Sequence, residues 1–135
     1  MSKIEDLEKK INSELTTKIK ESKIKHDQIY ISINSEDLIE TIMLLKTNEY
    51  TKFRQLIDIT AADYPENQKR FNLIYLLLSH ELNKRIILNF FINENQQVPS
   101  LTKIFPSANW MEREIFDMYG IKFTDHPDLR RILTD

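Results

Sequence analysis

No cysteine occurs among the 135 residues, which excludes disulfides and any zinc or iron–sulfur site held by thiolates. The single glycine, Gly120, excludes a dinucleotide fingerprint or a Walker loop, since both need several glycines for the backbone to approach phosphate. No apolar run approaches the roughly 18–20 residues needed to span a bilayer as a helix. Excess charge of one sign is also missing, and a net charge of −2 supplies no field to steer the chain toward nucleic acid or an anionic membrane. Arginine is absent from residues 1–26, which carry Glu5, Asp6, Glu8, Glu14 and Glu21 instead. The Arg-rich, acid-poor pattern of a mitochondrial presequence is therefore not written there, nor is the apolar stretch of a secretory signal.

What is present reads as one globular domain with room for one core, at 41% hydrophobic and 30% charged residues. Ile4, Leu7, Ile11, Leu15 and Ile19 recur at three- and four-residue steps, so residues 1–26 are predicted to be an amphipathic helix. Residues 28–33 alternate and are β-branched, which predicts a strand. Asn34-Ser35 then caps a helix that buries Leu38, Ile39, Ile42, Met43 and Leu45 and stops at Asn48. Strands are predicted over 53–61, 71–79 and 85–92, joined by short turns as an antiparallel meander. The middle one is aliphatic on both faces, a pattern normally covered on both sides. The fold class predicted is α+β: a two-layer domain with a β-α-β-β-β mixed sheet (residues 27–97), preceded by the amphipathic helix (1–26) and followed by a helical and extended C-terminal arm (98–135).

The arm carries the densest pattern. Asn109 is placed to N-cap a helix with Glu112 at its third position, as in a capping box, and Gly120 falls where a left-handed C-terminal cap is needed. Met111, Ile115 and Met118 follow helical spacing, and Trp110, Phe116 and Tyr119 widen the apolar surface. Glu112, Arg113, Glu114 and Asp117 are left in a narrow strip between apolar walls, so the helix is expected to be buried on more than one side.

Glu114 and Asp117, three apart, could be paired carboxylates for acid–base work. Packing is the stronger reading, because Arg113 lies four residues before Asp117 and neither nucleophile, oxyanion donors nor phosphate loop accompanies them. His126, between Asp125 and Pro127-Asp128, is expected to be a hydrogen-bonded turn histidine. A metal would need further ligands, and no HExxH or Cys/His pair exists. Arg130-Arg131 before Ile132-Leu133 is too small a basic group for nucleic acid or lipid, and suits an interface anchor.

Taken in order, Glu112-Arg113-Glu114, Asp117, His126, Arg130-Arg131 and Ile132-Leu133 resemble the motif of the 30-kDa subunit family of respiratory complex I, the NADH:ubiquinone oxidoreductase. Residues 58–65 (DITAADYP), 70–79 (RFNLIYLLLS) and 98–110 (VPSLTKIFPSANW) also look like family sequence, so the resemblance runs from about Phe53 to the last residue. It implies a cofactor-free, non-catalytic structural subunit of the hydrophilic peripheral arm, packing chiefly on the large subunit that lines the quinone cavity. Electrons would pass from NADH to ubiquinone through flavin and iron–sulfur clusters held by partner subunits, coupled to proton translocation. No catalytic, cofactor or metal residue is expected, and neither a nucleic-acid partner nor a membrane span. Trp110, Glu112, Arg113, Glu114, Asp117, Tyr119, His126, Arg130, Arg131, Ile132 and Leu133 are expected to form the structural and partner-facing motif.

The resemblance also admits a subunit of a related membrane-bound hydrogenase or a plastid-type dehydrogenase. From a different class stand a free-standing small enzyme using Glu112, Glu114 and Asp117, and a binding module using its sheet face. The expected location is the matrix side of the mitochondrial inner membrane, or alternatively the cytoplasmic face of a bacterial inner membrane. The abundance of Ile, Lys and Asn suggests AT-rich coding and synthesis within an organelle. Family members usually continue past the equivalent of Thr134-Asp135. The expectation is that a separate polypeptide, or a neighbour's extension, docks beside Leu133 and buries Ile132 and Leu133.

Overall fold

A nine-residue strand with aliphatic side chains on both faces is stable only between other strands, and Phe71–Ser79 (β4) takes such a place. The computed structural model describes residues 3–15 and 18–127. Elements follow in the order α1 (Lys3–Glu14), β1 (Ile19–Lys25), β2 (Gln28–Ile33), α2 (Leu38–Thr47), β3 (Gln55–Asp63), β4, β5 (Lys84–Ile92), β6 (Val98–Pro99), α3 (Ala108–Tyr119) and β7 (Phe123–Thr124). The main sheet is ordered β1-β2-β5-β4-β3. Its β2–β5 pair is parallel and the other three pairs are antiparallel, so the α+β class with a mixed sheet is as predicted.

One strand was not foreseen. The N-terminal helix ends at Glu14, and Ile19–Lys25, assigned to that helix from its spacing, is an edge strand instead. Its hairpin to β2 turns on His26 and Asp27, with φ of 54° and 59°, the left-handed pair that a two-residue turn requires. The lysines along β1 suit an edge, where charge discourages further strand pairing.

Helices α1, α2 and α3 lie on one face of the main sheet. Ile29, Ile31, Leu73, Tyr75, Leu77, Leu88 and Phe90 point inward from the sheet to meet Ile4 and Ile11 of α1, Leu38, Ile42 and Leu45 of α2, and Ala108 and Ile115 of α3. Each fully buried aliphatic side chain contributes about 1.5–3 kcal/mol. Two residues expected on the buried side of α2, Ile39 and Met43, are 36% and 41% exposed, and Thr41 takes the inward place. Leu38, Thr41, Ile42 and Leu45 form the inward stripe at three- and four-residue steps, which leaves Ile39 and Met43 on its flank; a 3-10 turn over Ser35–Asp37 precedes α2, and Asn34 makes no side-chain cap bond. The outward side chains of β4, Ile74, Leu76 and Leu78, are only half-buried and lie outside the core, so nothing among the described residues covers both faces of that strand as its pattern predicts.

Candidate functional site

Residues 98–127 fold back on themselves as a closed arm. Val98 and Phe123 pair in a short parallel ladder, reinforced by Val98 N–H to the Lys122 carbonyl at 3.0 Å and Ser100 N–H to the Thr124 carbonyl at 3.1 Å. Among the described residues, three side-chain bonds tie the arm to the main domain: Tyr119 Oη donates to the Ala61 carbonyl at 2.9 Å, Lys46 Nζ to the Ile104 carbonyl at 2.7 Å and Ser107 Oγ to the Leu56 carbonyl at 3.5 Å. The helix between the ladder strands ends as predicted at Gly120, whose φ of 75° is the left-handed cap, its N–H reaching the Phe116 carbonyl at 2.8 Å.

The start of α3 differs from the capping-box expectation. Ser107 is the cap residue, without a side-chain bond, and Asn109 already lies inside the helix. Glu112 has turned away from its own helix terminus. Its Oε1 accepts from Ser100 Oγ at 2.6 Å and its Oε2 from the Leu101 N–H at 2.7 Å, so the carboxylate organises the turn before α3 instead. His126 completes the cluster: Nε2 donates to the Asn109 carbonyl at 2.8 Å and lies 3.9 Å from Glu112 Oε1. Both side chains are fully enclosed. Burial pushes the Glu112 carboxyl up to about 7, against the opposing pull of the Ser100 and Leu101 bonds. A perturbed carboxyl beside a histidine is a common mark of catalysis; here, among the described residues, both side chains are closed off from solvent.

The remaining motif residues divide by helix face. Arg113 pairs with Asp117 at 3.5 Å, the i,i+4 contact expected from the spacing. Glu114 is exposed and accepts from Trp110 Nε1 at 2.8 Å, so Glu114 and Asp117 are engaged by different partners. Trp110 and Met118 face outward at 68% and 74% exposure, whereas Tyr119 turns inward against Phe71. Among the described residues, the helix is therefore enclosed on one side by its own domain and open on the other. Arg130, Arg131, Ile132 and Leu133 lie outside the described residues. Ser100, Leu101 and Tyr75 were missed as members of the site, and nothing local in the sequence marks them as neighbours of Glu112. Beside the arm, Ile39 and Met43 line a groove of about 260 Å³ with Pro99, Ser100, Ile104 and Thr124. Among the described residues, no group of three or more His, Cys, Asp or Glu is placed to hold a metal, and no helix is long and apolar enough to cross a membrane.

A mixed sheet covered on one face, with a carboxylate-pinned arm closing after it, defines a class of small α+β domains. The chain belongs to the family described as the 30 Kd subunit of respiratory-chain NADH dehydrogenase, which matches residues 31–135. It is 49% identical over 108 residues to a subunit of the NADH-quinone oxidoreductase of Ruegeria pomeroyi, a match covering 80% of this chain and 54% of the relative. It is 46% identical over 109 residues to the mitochondrial NADH dehydrogenase [ubiquinone] iron-sulfur protein 3 of Candida albicans, covering 81% of this chain and 39% of that one. The chain thus spans about half the length, or less, of these relatives. Among solved structures it is similar to the trypsin-resistant fragment (1–134) of Nqo5, with a TM-score of 0.70 at 22% identity over 94% of this chain and 99% of the fragment. At that identity the likeness speaks for the fold.

Proposed function

We propose that this chain is a cofactor-free structural subunit in the peripheral arm of a proton-translocating NADH:quinone oxidoreductase, seated on the large subunit that lines the quinone cavity. Family membership over residues 31–135 supplies the class of assembly. The observation that carries the structural role is the division of the motif on α3: Glu112 is sealed inside with His126, while Trp110 and Met118 are held out to solvent. An enzyme would present its perturbed carboxyl in a cleft, whereas a subunit presents aromatic and sulfur-bearing side chains to a neighbour. The word iron-sulfur in the name of the Candida relative does not carry a cluster site to this chain, because the thiolates that ligate clusters are absent from its sequence. The chain works on the matrix face of a mitochondrial inner membrane or the cytoplasmic face of a bacterial one.

Affinity purification of the tagged chain from solubilised membranes of its own source tests this. The expected result is co-isolation of flavin- and iron–sulfur-bearing subunits with NADH:quinone activity, and no stoichiometric flavin, metal or NADH turnover in the chain alone. A cofactor or turnover in the isolated chain would sink the proposal. Co-isolation with an assembly whose electron donor is not NADH would move the chain to a related hydrogenase or plastid-type complex.

A further inference from the structure

Among the described residues, the outer face of the sheet is a large surface used by neither the core nor the arm. Outward positions of a sheet covered on one side are normally polar, yet β4 turns Ile74, Leu76 and Leu78 outward and β5 turns Ile87 and Phe91. The register joins them into one patch. Tyr30, Ile87 and Leu76 form a row across β2, β5 and β4, and Ile74 lies in the next row beside Asn89. The aliphatic members are not packed on the core. Phe91 is 40% exposed, with Tyr64 as its ring neighbour at 5.8 Å.

Cations flank this patch, Lys20 and Lys69 beside Phe91 at one end and a closer group at the opposite corner. Lys23 and Lys25 share the face through their pairing with Tyr30 and Gln28, and Arg85 shares it beside Leu78. All three are exposed. None belongs to any ion pair among the described residues, whereas the neighbouring cations Arg54 and Lys84 are paired with Glu81 and Asp27. Continuous with the corner is a polar depression of about 350 Å³ whose lining includes His26, Asp27, Gln28, His80, Lys84 and Arg85, its one acid, Asp27, being held by Lys84. Acids on the same face are Glu21, opposite Ser32, and Asp58, at the far β3 edge opposite Leu76. The apolar row crosses three strands, about 10 Å at the usual strand spacing, which is the width of one α-helix.

We propose that this face is a docking surface for an amphipathic helix of a neighbouring subunit, with an aliphatic stripe over Ile74, Leu76 and Ile87 and a flank of acids over Lys23, Lys25 and Arg85. It rests on the assembly role proposed above and names a surface and a partner chemistry for it. Partner binding through an apolar centre with charges at its rim follows the usual anatomy of interfaces, where rim charges guide encounter and fix register.

The test uses the full chain in its native assembly. Replacing Leu76→Thr and Ile87→Thr together removes the stripe while keeping side chains that strands favour. Assembled complex on native gels is expected to fall at least fivefold, with the melting of the chain alone unchanged. Wild-type assembly of this variant would overturn the proposal. As a second arm, a photo-crosslinking amino acid at position 74 should capture a partner peptide that is helical in pattern and carries Asp or Glu along one side. Capture of a basic peptide, or of a second copy of this chain, would equally overturn it, as would no capture at all. If the wild-type chain co-isolates no oxidoreductase subunits, the assembly role fails separately, and the chemistry of the crosslinked peptide still decides the surface.

Discussion

Glu112 Oε1 and His126 Nε2 lie 3.9 Å apart with both side chains shut away from solvent, joining the middle of α3 to the turn that follows β7. The contact spans the glycine-capped end of α3, so two motif residues well separated in sequence hold one joint. Ser100 and Leu101 meet the same carboxylate from the other side, and the arm closes around a single acid.

A pH signature follows from that enclosure. The folded state holds the Glu112 proton up to about pH 7, whereas the unfolded chain releases it near 4.5. The native state therefore binds more proton between these values, and stability falls as pH rises from about 4.5 to about 7, then levels. The full swing for such a shift is about 3 kcal/mol. Glu112→Gln should remove this slope and leave the variant more stable than wild type at pH 8. Denaturant titrations at pH 5 and pH 8 would check it, and identical slopes for the two proteins would show that the carboxyl is not perturbed.

Tyr75 supplies a second test of the same interior. Its ring stacks on Phe90 at 5.6 Å, and its hydroxyl is buried with no hydrogen-bond partner among the described residues. Burial, and then the nearby Glu112 charge, push the Tyr75 ionisation well above its ordinary value, so it stays neutral. An unpartnered buried hydroxyl costs about 1–3 kcal/mol. Tyr75→Phe keeps the packing and is expected to raise stability by about 1 kcal/mol. A loss of that size in thermal or chemical unfolding would mean that the hydroxyl is satisfied.

The arm shows why part of this architecture could be read from sequence and part could not. β2 was legible to the residue because its alternation and β-branching are local signals, β4 because an apolar run bounded by polar turns is one too, and Gly120 was legible because few other residues accept a left-handed cap. β1 was not. Ile19 continues the helical stripe of α1 by chance of spacing, and the hairpin turn uses His26-Asp27 where Asn-Gly or Asp-Gly is the usual signal. The Glu112 cluster was half legible. The motif singled out Glu112 and His126, but Ser100, Leu101 and Tyr75 reach them only through tertiary closure. The capping-box spacing from Asn109 to Glu112 misled for the same reason, since two donors across the arm outcompete one N–H in its own helix.

Arg113 and Glu114 separate assembly from stability. Sequence placed Arg113 in a buried acidic strip, where its loss would cost several kcal/mol. Its side chain is instead one-third exposed, and its sheltered Nε has Asp117 at 3.5 Å without a good hydrogen bond. An i,i+4 pair of this kind is worth about 0.3–0.5 kcal/mol. Arg113→Ala is expected to leave the melting of the isolated chain within a few degrees of wild type while lowering assembled complex more than Glu114→Gln does. A large drop in melting for Arg113→Ala would return the residue to a core role.

Trp110 is the sharpest test of whether α3 meets a partner. Its indole is 68% exposed and held in place by donation to Glu114 at 2.8 Å, on the same helix as the 74% exposed Met118. An exposed side chain contributes little to the fold, so Trp110→Ala should change the stability of the chain alone by no more than about 0.5 kcal/mol. Buried tryptophans at the centre of interfaces commonly cost about 2 kcal/mol or more on truncation, about thirtyfold in affinity. The expected outcome is loss of most assembled complex for Trp110→Ala and a smaller loss for Met118→Ala, read on native gels beside melting curves of the isolated variants. Glu114→Gln retains an acceptor for the indole and should spare assembly. If Trp110→Ala assembles as wild type does, α3 faces solvent in the complex, and the partner must be held by another surface of the domain.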